Sequence, residues 1–244
     1  MNIINYSDID FNRLDKYNQG RFSKSDFYLL DRELLYKIYD KENNDKKEVL
    51  EAYDSLNKDY IAKTSSLIMD KEIKGNITKF YEADNLSTLI NKKGILNMMK
   101  VILTASKNLE DLHNSDGYPI IGDMHFGNII VDKNSKPIFV DVDSYGINDI
   151  SPQCIPGVTS NYLNYTYNDV EKNQNIDRLS FLLNLFNIIF KKNILMLDNS
   201  IYKDYIYLYP FLENLYNEFI KIKYSSDIPD VPYLHYVLKK DNDF

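Results

Sequence analysis

Residues Ile120–Asp143 read IIGDMHFGNIIVDKNSKPIFVDVD. Three polar side chains stand in fixed order along this stretch, Asp123, Asn128 and Asp141, with spacings of 128 − 123 = 5 and 141 − 128 = 13. Two short apolar segments, 128–131 and 137–142, flank the polar turn Asp132-Lys-Asn-Ser-Lys136. The pattern predicts a loop that feeds a β-hairpin, with a carboxylate, an amide and a second carboxylate held at the strand mouths.

An Asp-x-x-x-x-Asn loop followed by a strand ending in Asp is the catalytic half of a kinase-type phosphotransferase. Leu109–Asp143 resembles the catalytic and metal-binding loops of the protein-kinase-like superfamily. It is similar in particular to the bacterial and phage eukaryotic-like Ser/Thr kinases, with Gly-Asp-x-His-x-Gly-Asn followed by Val-Asp-x-Asp-Ser. The matching residues are Gly122, Asp123, His125, Gly127, Asn128, Val140, Asp141, Asp143 and Ser144. Ile121-Gly122 stand where His-Arg is usual, His125 where Lys is usual, and Val142-Asp143 where Phe-Gly is usual. The resemblance implies a bilobal α+β fold, with a β-rich nucleotide-binding lobe over residues 1–82 and a mainly helical catalytic lobe over 83–244. It implies ATP and magnesium as cofactors. Asp123 is then the acceptor of the substrate hydroxyl proton, His125 helps to orient the loop, and Asn128 and Asp141 hold the metal. Asp143 is either a further ligand or a structural carboxylate.

Composition narrows the classes. The 244 residues suffice for one large domain or two lobes around a cleft, and an apolar content of 44% allows a sizeable core. A net charge of −7 with scattered Lys and Arg argues against a nucleic-acid partner. Cys154 is the single cysteine, which suits a reducing compartment. The start MNIINYSDIDF has neither a basic segment nor an apolar run, and the apolar stretch within 179–190 is too short to cross a bilayer. The expectation is a cytoplasmic protein with no membrane partner.

Residues 1–82 read mainly as strands. Segments 26–30 and 33–39 suggest a hairpin around Asp31-Arg32, although Gly or Asn is missing from the turn. In LLYKIY, Leu34, Tyr36 and Ile38 share one face, and Leu35, Lys37 and Tyr39 the other. Alone, Lys37 reads as a solvated edge residue; upstream of the Asp–Asn–Asp series it resembles the phosphate-pairing Lys of a kinase N-lobe strand. Gly20 resembles the remnant of a phosphate-covering loop, and is equally an ordinary turn residue. The 46–57 helix offers Glu48 and Glu51 as partners for Lys37. Glu48 shares a face with Ala52 and Leu56 and is favoured, with plain surface charge as the alternative. Strands at 67–70 and 77–82 are expected around a turn at 71–75, and the backbone near Glu82 corresponds to the adenine-holding connection.

Residues 95–113 carry apolar side chains at 3/4 spacing, a helix stopped by Asn114-Ser-Asp-Gly117. His113 at its end reads as a capping or packing residue. Residues 146–176 correspond to an activation segment without Ala-Pro-Glu. Residues 177–190 predict a buried helix whose Asp177 resembles the residue that anchors the catalytic loop backbone, and is also a plain N-cap. A further amphipathic helix is expected at 210–222.

These readings imply an ATP/Mg-dependent phosphotransferase acting on a hydroxyl, with a protein Ser/Thr acceptor because 143–177 resembles a peptide-docking segment. The alternatives are a pseudokinase that binds nucleotide or protein, and a small-molecule phosphotransferase like the aminoglycoside and choline kinases. A two-metal phosphoesterase reading of Gly122-Asp-Met-His is set aside, because the chain has three His and no further Gly-Asp pair. With Gly122 in place of a phosphate-reading Arg, activity is not expected to need a phosphate on Thr159, Ser160 or Thr166.

Overall fold

The computed structural model describes residues 1–17, 25–41, 45–154, 156, 159, 173–190, 213, 214, 217 and 230–238. Gly20, Ser160, Thr166 and most of the helix expected at 210–222 lie outside them. The predicted hairpin forms from β3 (Ser25–Leu30) and β4 (Leu34–Tyr39). Its turn closes by the Glu33 N–H donating to the Leu30 carbonyl at 3.0 Å. Asp31 and Arg32 both take the left-handed conformation usually reserved for Gly or Asn, at φ 52° and 56°.

Four more strands complete a mixed sheet: β1 (Asn2–Asn5), β2 (Asp15–Tyr17), β5 (Thr64–Asp70) and β6 (Glu72–Lys79), in the order β1-β5-β6-β4-β3-β2. Only β1 runs parallel to its neighbour, β5. The alternation in β4 holds. Tyr36 packs with Ile68 and Ile77 on one face, joined by Ile4, Tyr6 and Leu14 from the N-terminal segment. Lys37 and Tyr39 occupy the opposite face.

One expected turn is corrected. The chain reverses at Lys71, at φ 61°, and residues 72–75 belong to β6. Gly75 is a strand residue opposite Ile38. A β-carbon there would lie 2.2 Å from the Lys37 carbonyl oxygen. The glycine marks a close approach of two backbones, and this approach sets the position of Lys37.

Helix α1 (Asp45–Ser55) buries Val49, Leu50 and Tyr53. Helix α2 (Leu86–Lys93), which the sequence reading passed over, is capped by the Asn85 side chain accepting from the Thr88 N–H at 2.8 Å. Helix α3 spans Ile95–His113, the predicted range. The short hairpin β7 (Ile129–Val131) and β8 (Pro137–Phe139) follows, then α4 (Gln174–Phe190), which begins three residues before the predicted start, and α5 (Leu234–Leu238). One apolar cluster runs from α1 through α3 and the hairpin to α4 and α5. The chain is therefore α+β, with the sheet in its first third and helices dominating thereafter. Among the described residues no helix is long and apolar enough to cross a membrane.

Candidate active site

The loop bearing Asp123 is held from beneath. Asp177, in the first turn of α4 and fully buried, accepts the Ile121 N–H at 2.6 Å and the Gly122 N–H at 2.8 Å. His113 Nε2 lies 3.1 Å from the same carboxylate, and its Nδ1 meets the Tyr233 hydroxyl at 3.0 Å. A buried carboxylate is tolerated here because three donors converge on it. Gly122 sits at φ 72°, and a β-carbon would come within 2.3 Å of Pro152 and 2.7 Å of the Cys154 carbonyl oxygen. No side chain fits at the position where the resembling family carries Arg. Phe126 is buried edge-on against Phe181 at 5.0 Å, and the Asn128 amide donates to the Asp123 carbonyl at 3.2 Å.

His125 accepts the Gly127 N–H on Nδ1 at 3.0 Å, so the ring proton belongs on Nε2. That atom lies 3.6 Å from Asp123 Oδ2, close enough for attraction and too long for a hydrogen bond. Burial raises the Asp123 pKa, but His125, the Cys154 thiol and Asn128 outweigh it and hold the carboxyl below its usual range. The Cys154 thiol is pushed up to about 12, first by burial and then by the charges of Asp123 and Asp141.

After β8, Asp141 turns left-handed at φ 66°. Its carbonyl accepts the Ser144 N–H at 3.0 Å and the Ser144 hydroxyl at 2.8 Å, closing a tight turn. That turn directs both carboxylates at β4. Lys37 Nζ lies 2.5 Å from Asp141 Oδ1 and 2.8 Å from Asp143 Oδ1. Asp143 Oδ2 takes a second lysine, Lys46 Nζ at 2.9 Å, and Lys46 sits 4.0 Å above the Tyr39 ring. Asp143 is only 3% exposed, against 14% for Lys37 and 13% for Lys46. Burial would raise the Asp143 pKa, but the two ammonium groups reverse this and hold it at about 2. Burial likewise pulls Lys37 down, and Asp143 and Asp141 together carry it above the usual lysine range.

These groups line one cleft of about 770 Å³. The sheet contributes Phe27, Leu35, Lys37 and Thr78; the connection after β6 contributes Phe80, Tyr81 and Ala83; the loops contribute His125, Asn128 and Asp141. Lys37 is thus brought to His125, Asn128 and Asp141 of the 125–141 segment, while Asp123 neighbours His125 but is not among the residues that line this cleft. One expectation is corrected. Glu48 is exposed, and no ion pair joins it to Lys37. The buried stripe of α1 is Lys46, Val49, Leu50 and Tyr53, which turns Glu48 to the opposite side. Glu82 is also exposed; its carboxylate lies 3.8 Å from Arg32, while its neighbours Tyr81 and Ala83 face the cleft. Thr159 is fully buried and hydrogen-bonded to the Ser180 hydroxyl at 2.7 Å.

Sequence reasoning missed Lys46. The available signal was its place three, four and seven residues before the apolar side chains of α1. It left Asp143 open, and the structure gives that carboxylate two lysine partners. Among the described residues, no group of three or more His, Cys, Asp or Glu is arranged to hold a metal. Asp141 and Asn128 both line the cleft, and one oxygen from each would suit a magnesium ion that takes its remaining oxygens from phosphate and water. The chain matches no protein-family model and no curated protein.

Proposed function

We propose that the cleft is the active site of an ATP- and magnesium-dependent phosphotransferase with a bilobal, protein-kinase-like arrangement, acting on a protein Ser/Thr hydroxyl. The observation that carries this reading is the meeting of Lys37 from the sheet with Asp141 from the loop after β8, at 2.5 Å across 104 residues. Both face the cleft that holds His125 and Asn128. Convergence of a buried cation and two oxygen-rich side chains suits a nucleotide phosphate chain better than a solvated surface.

In this reading Lys37 draws on the phosphate oxygens, and the apolar groups Leu35, Phe80 and Tyr81 receive the base. Asp123, held unprotonated at neutral pH, accepts the hydroxyl proton as the oxygen–phosphorus bond forms and the bond from the γ-phosphorus to the bridging oxygen breaks, releasing ADP. His125, with Nε2 at 3.6 Å from Asp123, attracts that carboxylate without hydrogen-bonding to it. Asp177 contributes indirectly, by fixing the Ile121 and Gly122 amides. Asp141 and Asn128 would hold magnesium, which when bound neutralises charge on the phosphate oxygens.

A second reading, a nucleotide-binding module without transfer, draws on one observation: both carboxylates already engage Lys37. Calorimetry and turnover separate the cases. The proposal expects magnesium to tighten ATP binding in the natural chain and not in Asp141→Ala, together with γ-phosphate release or transfer. ATP binding without any turnover favours the second reading. No ATP binding under either condition rejects both.

A further inference from the structure

Helix α1 presents a cation to the cleft where the resemblance calls for a carboxylate. We infer that Lys46 is a second phosphate-binding residue, which with Lys37 grips a polyphosphate from two sides while Asp143 serves as their shared counter-ion. The inference rests on the reading of the cleft as a phosphate-binding site.

Three observations carry it. The first is charge. Within the ion-paired group, Asp141 and Asp143 against Lys37 alone sum to −2 + 1 = −1, which repels a polyphosphate; Lys46 brings that group to zero, and the exposed Lys79 lines the same cleft. The second is burial. Lys46 is 13% exposed and lines the cavity, so its ammonium is not a solvated surface charge. An ammonium has three donors, more than one carboxylate oxygen and one ring face absorb. The third is spacing. Asp143 uses Oδ1 for Lys37 and Oδ2 for Lys46, so one rigid carboxylate fixes the distance between the two ammonium groups. Its position is in turn fixed by the tight turn after Asp141 and by the buried side chains of Val142 and Tyr145. A pair of cations at fixed separation suits adjacent phosphate groups, giving each phosphate its own ammonium partner.

The experiment is calorimetry on the full chain with tripolyphosphate, ATP and adenosine as separate probes, using the natural protein, Lys46→Met, Lys46→Arg and the exposed-residue control Lys107→Met. The expected result is about tenfold or greater weakening of tripolyphosphate and ATP in Lys46→Met, the loss of one charge-assisted hydrogen bond. Adenosine affinity is unchanged, Lys46→Arg regains most of the loss, and Lys107→Met behaves as the natural chain. A second measurement needs no variant: tripolyphosphate shields Lys46 from acetylation by acetic anhydride, read by peptide mass spectrometry.

Undiminished ATP and tripolyphosphate affinity in Lys46→Met, or acetylation of Lys46 unaffected by bound tripolyphosphate, overturns the inference alone. Lys46-dependent binding of tripolyphosphate by a protein that neither prefers ATP nor turns it over sustains the inference and overturns the nucleotide reading. Absence of binding by both anions overturns both.

Discussion

Asp143 is nearly inaccessible to water and yet ionised, because Lys37 and Lys46 both contact it. A pKa lowered to about 2 makes this carboxylate a source of stability above its ordinary range. The contribution is complete above about pH 4 and is lost as pH falls towards 2, about 2 kcal/mol in all. Urea unfolding at a series of pH values should show this acid limb in the natural chain and lack it in Asp143→Asn. That variant should also be less stable at neutral pH by about 3 kcal/mol, because it removes the partner of two buried ammonium groups. Equal pH dependence in the two proteins would contradict the assignment. Cys154 offers an independent check of the local charge. A thiol raised to about 12 is scarcely ionised at pH 8. Its alkylation by iodoacetamide should be about 10²–10³ slower than that of a free thiol, and an ordinary rate would show that burial and the charges of Asp123 and Asp141 together do not act on it. At this scale, Asp123, Asn128 and Asp141 were singled out by their spacing and its resemblance; Asn128 and Asp141 reach the cleft, and Asp123 is not among its lining residues. Lys46 was passed over because a charged residue in a helix's first turn reads as surface charge, although its place three, four and seven residues before Val49, Leu50 and Tyr53 put it on the buried stripe.

Elements were legible where their patterns are local. Helix α3 follows its apolar spacing from Ile95 to His113. Helix α2 is eight residues long, too short for its stripe to stand out, and its cap at Asn85 was the usable sign. Gly75 was misread as a turn because glycine punctuates turns more often than it marks two strands in close contact. Gly75→Ala should therefore act as overpacking, destabilising by about 1–3 kcal/mol. By pushing on the Lys37 carbonyl it should also raise the nucleotide KM, whereas a variant with unchanged stability and KM would return Gly75 to a surface role. Thr159 belongs at this scale too, since its hydroxyl ties the segment before α4 to Ser180. Thr159→Ala should cost about 1 kcal/mol and leave activity without any phosphate-dependent switch. Recovery of phosphorylated Thr159 from folded, active protein would contradict its burial.

Across the whole molecule, the α+β class that the resemblance implied agrees with strands preceding helices, but two non-local arrangements had no sequence signal. One is the parallel pairing of β1 with β5, which joins residues more than sixty positions apart. The other is the packing of 230–238, which had no assignment from sequence. There Tyr233 reaches His113, Arg178 pairs with Asp230 at 3.0 Å, and His235 meets Ser106 and Glu110 at 2.9 and 3.0 Å. Each of these partners looks like a surface or capping residue until the chain end is folded against α3 and α4. The same packing supports the carboxylate of Asp177 and, through it, the loop of Asp123. The central claim is that this loop performs proton acceptance for phosphoryl transfer in the cleft. Its most direct test is turnover of γ-labelled ATP with magnesium, measured beside ATP affinity, in the natural chain and in Asp123→Asn. The account predicts transfer lowered by about 10²–10⁴ with nearly unchanged ATP affinity; near-natural turnover in the variant would contradict it.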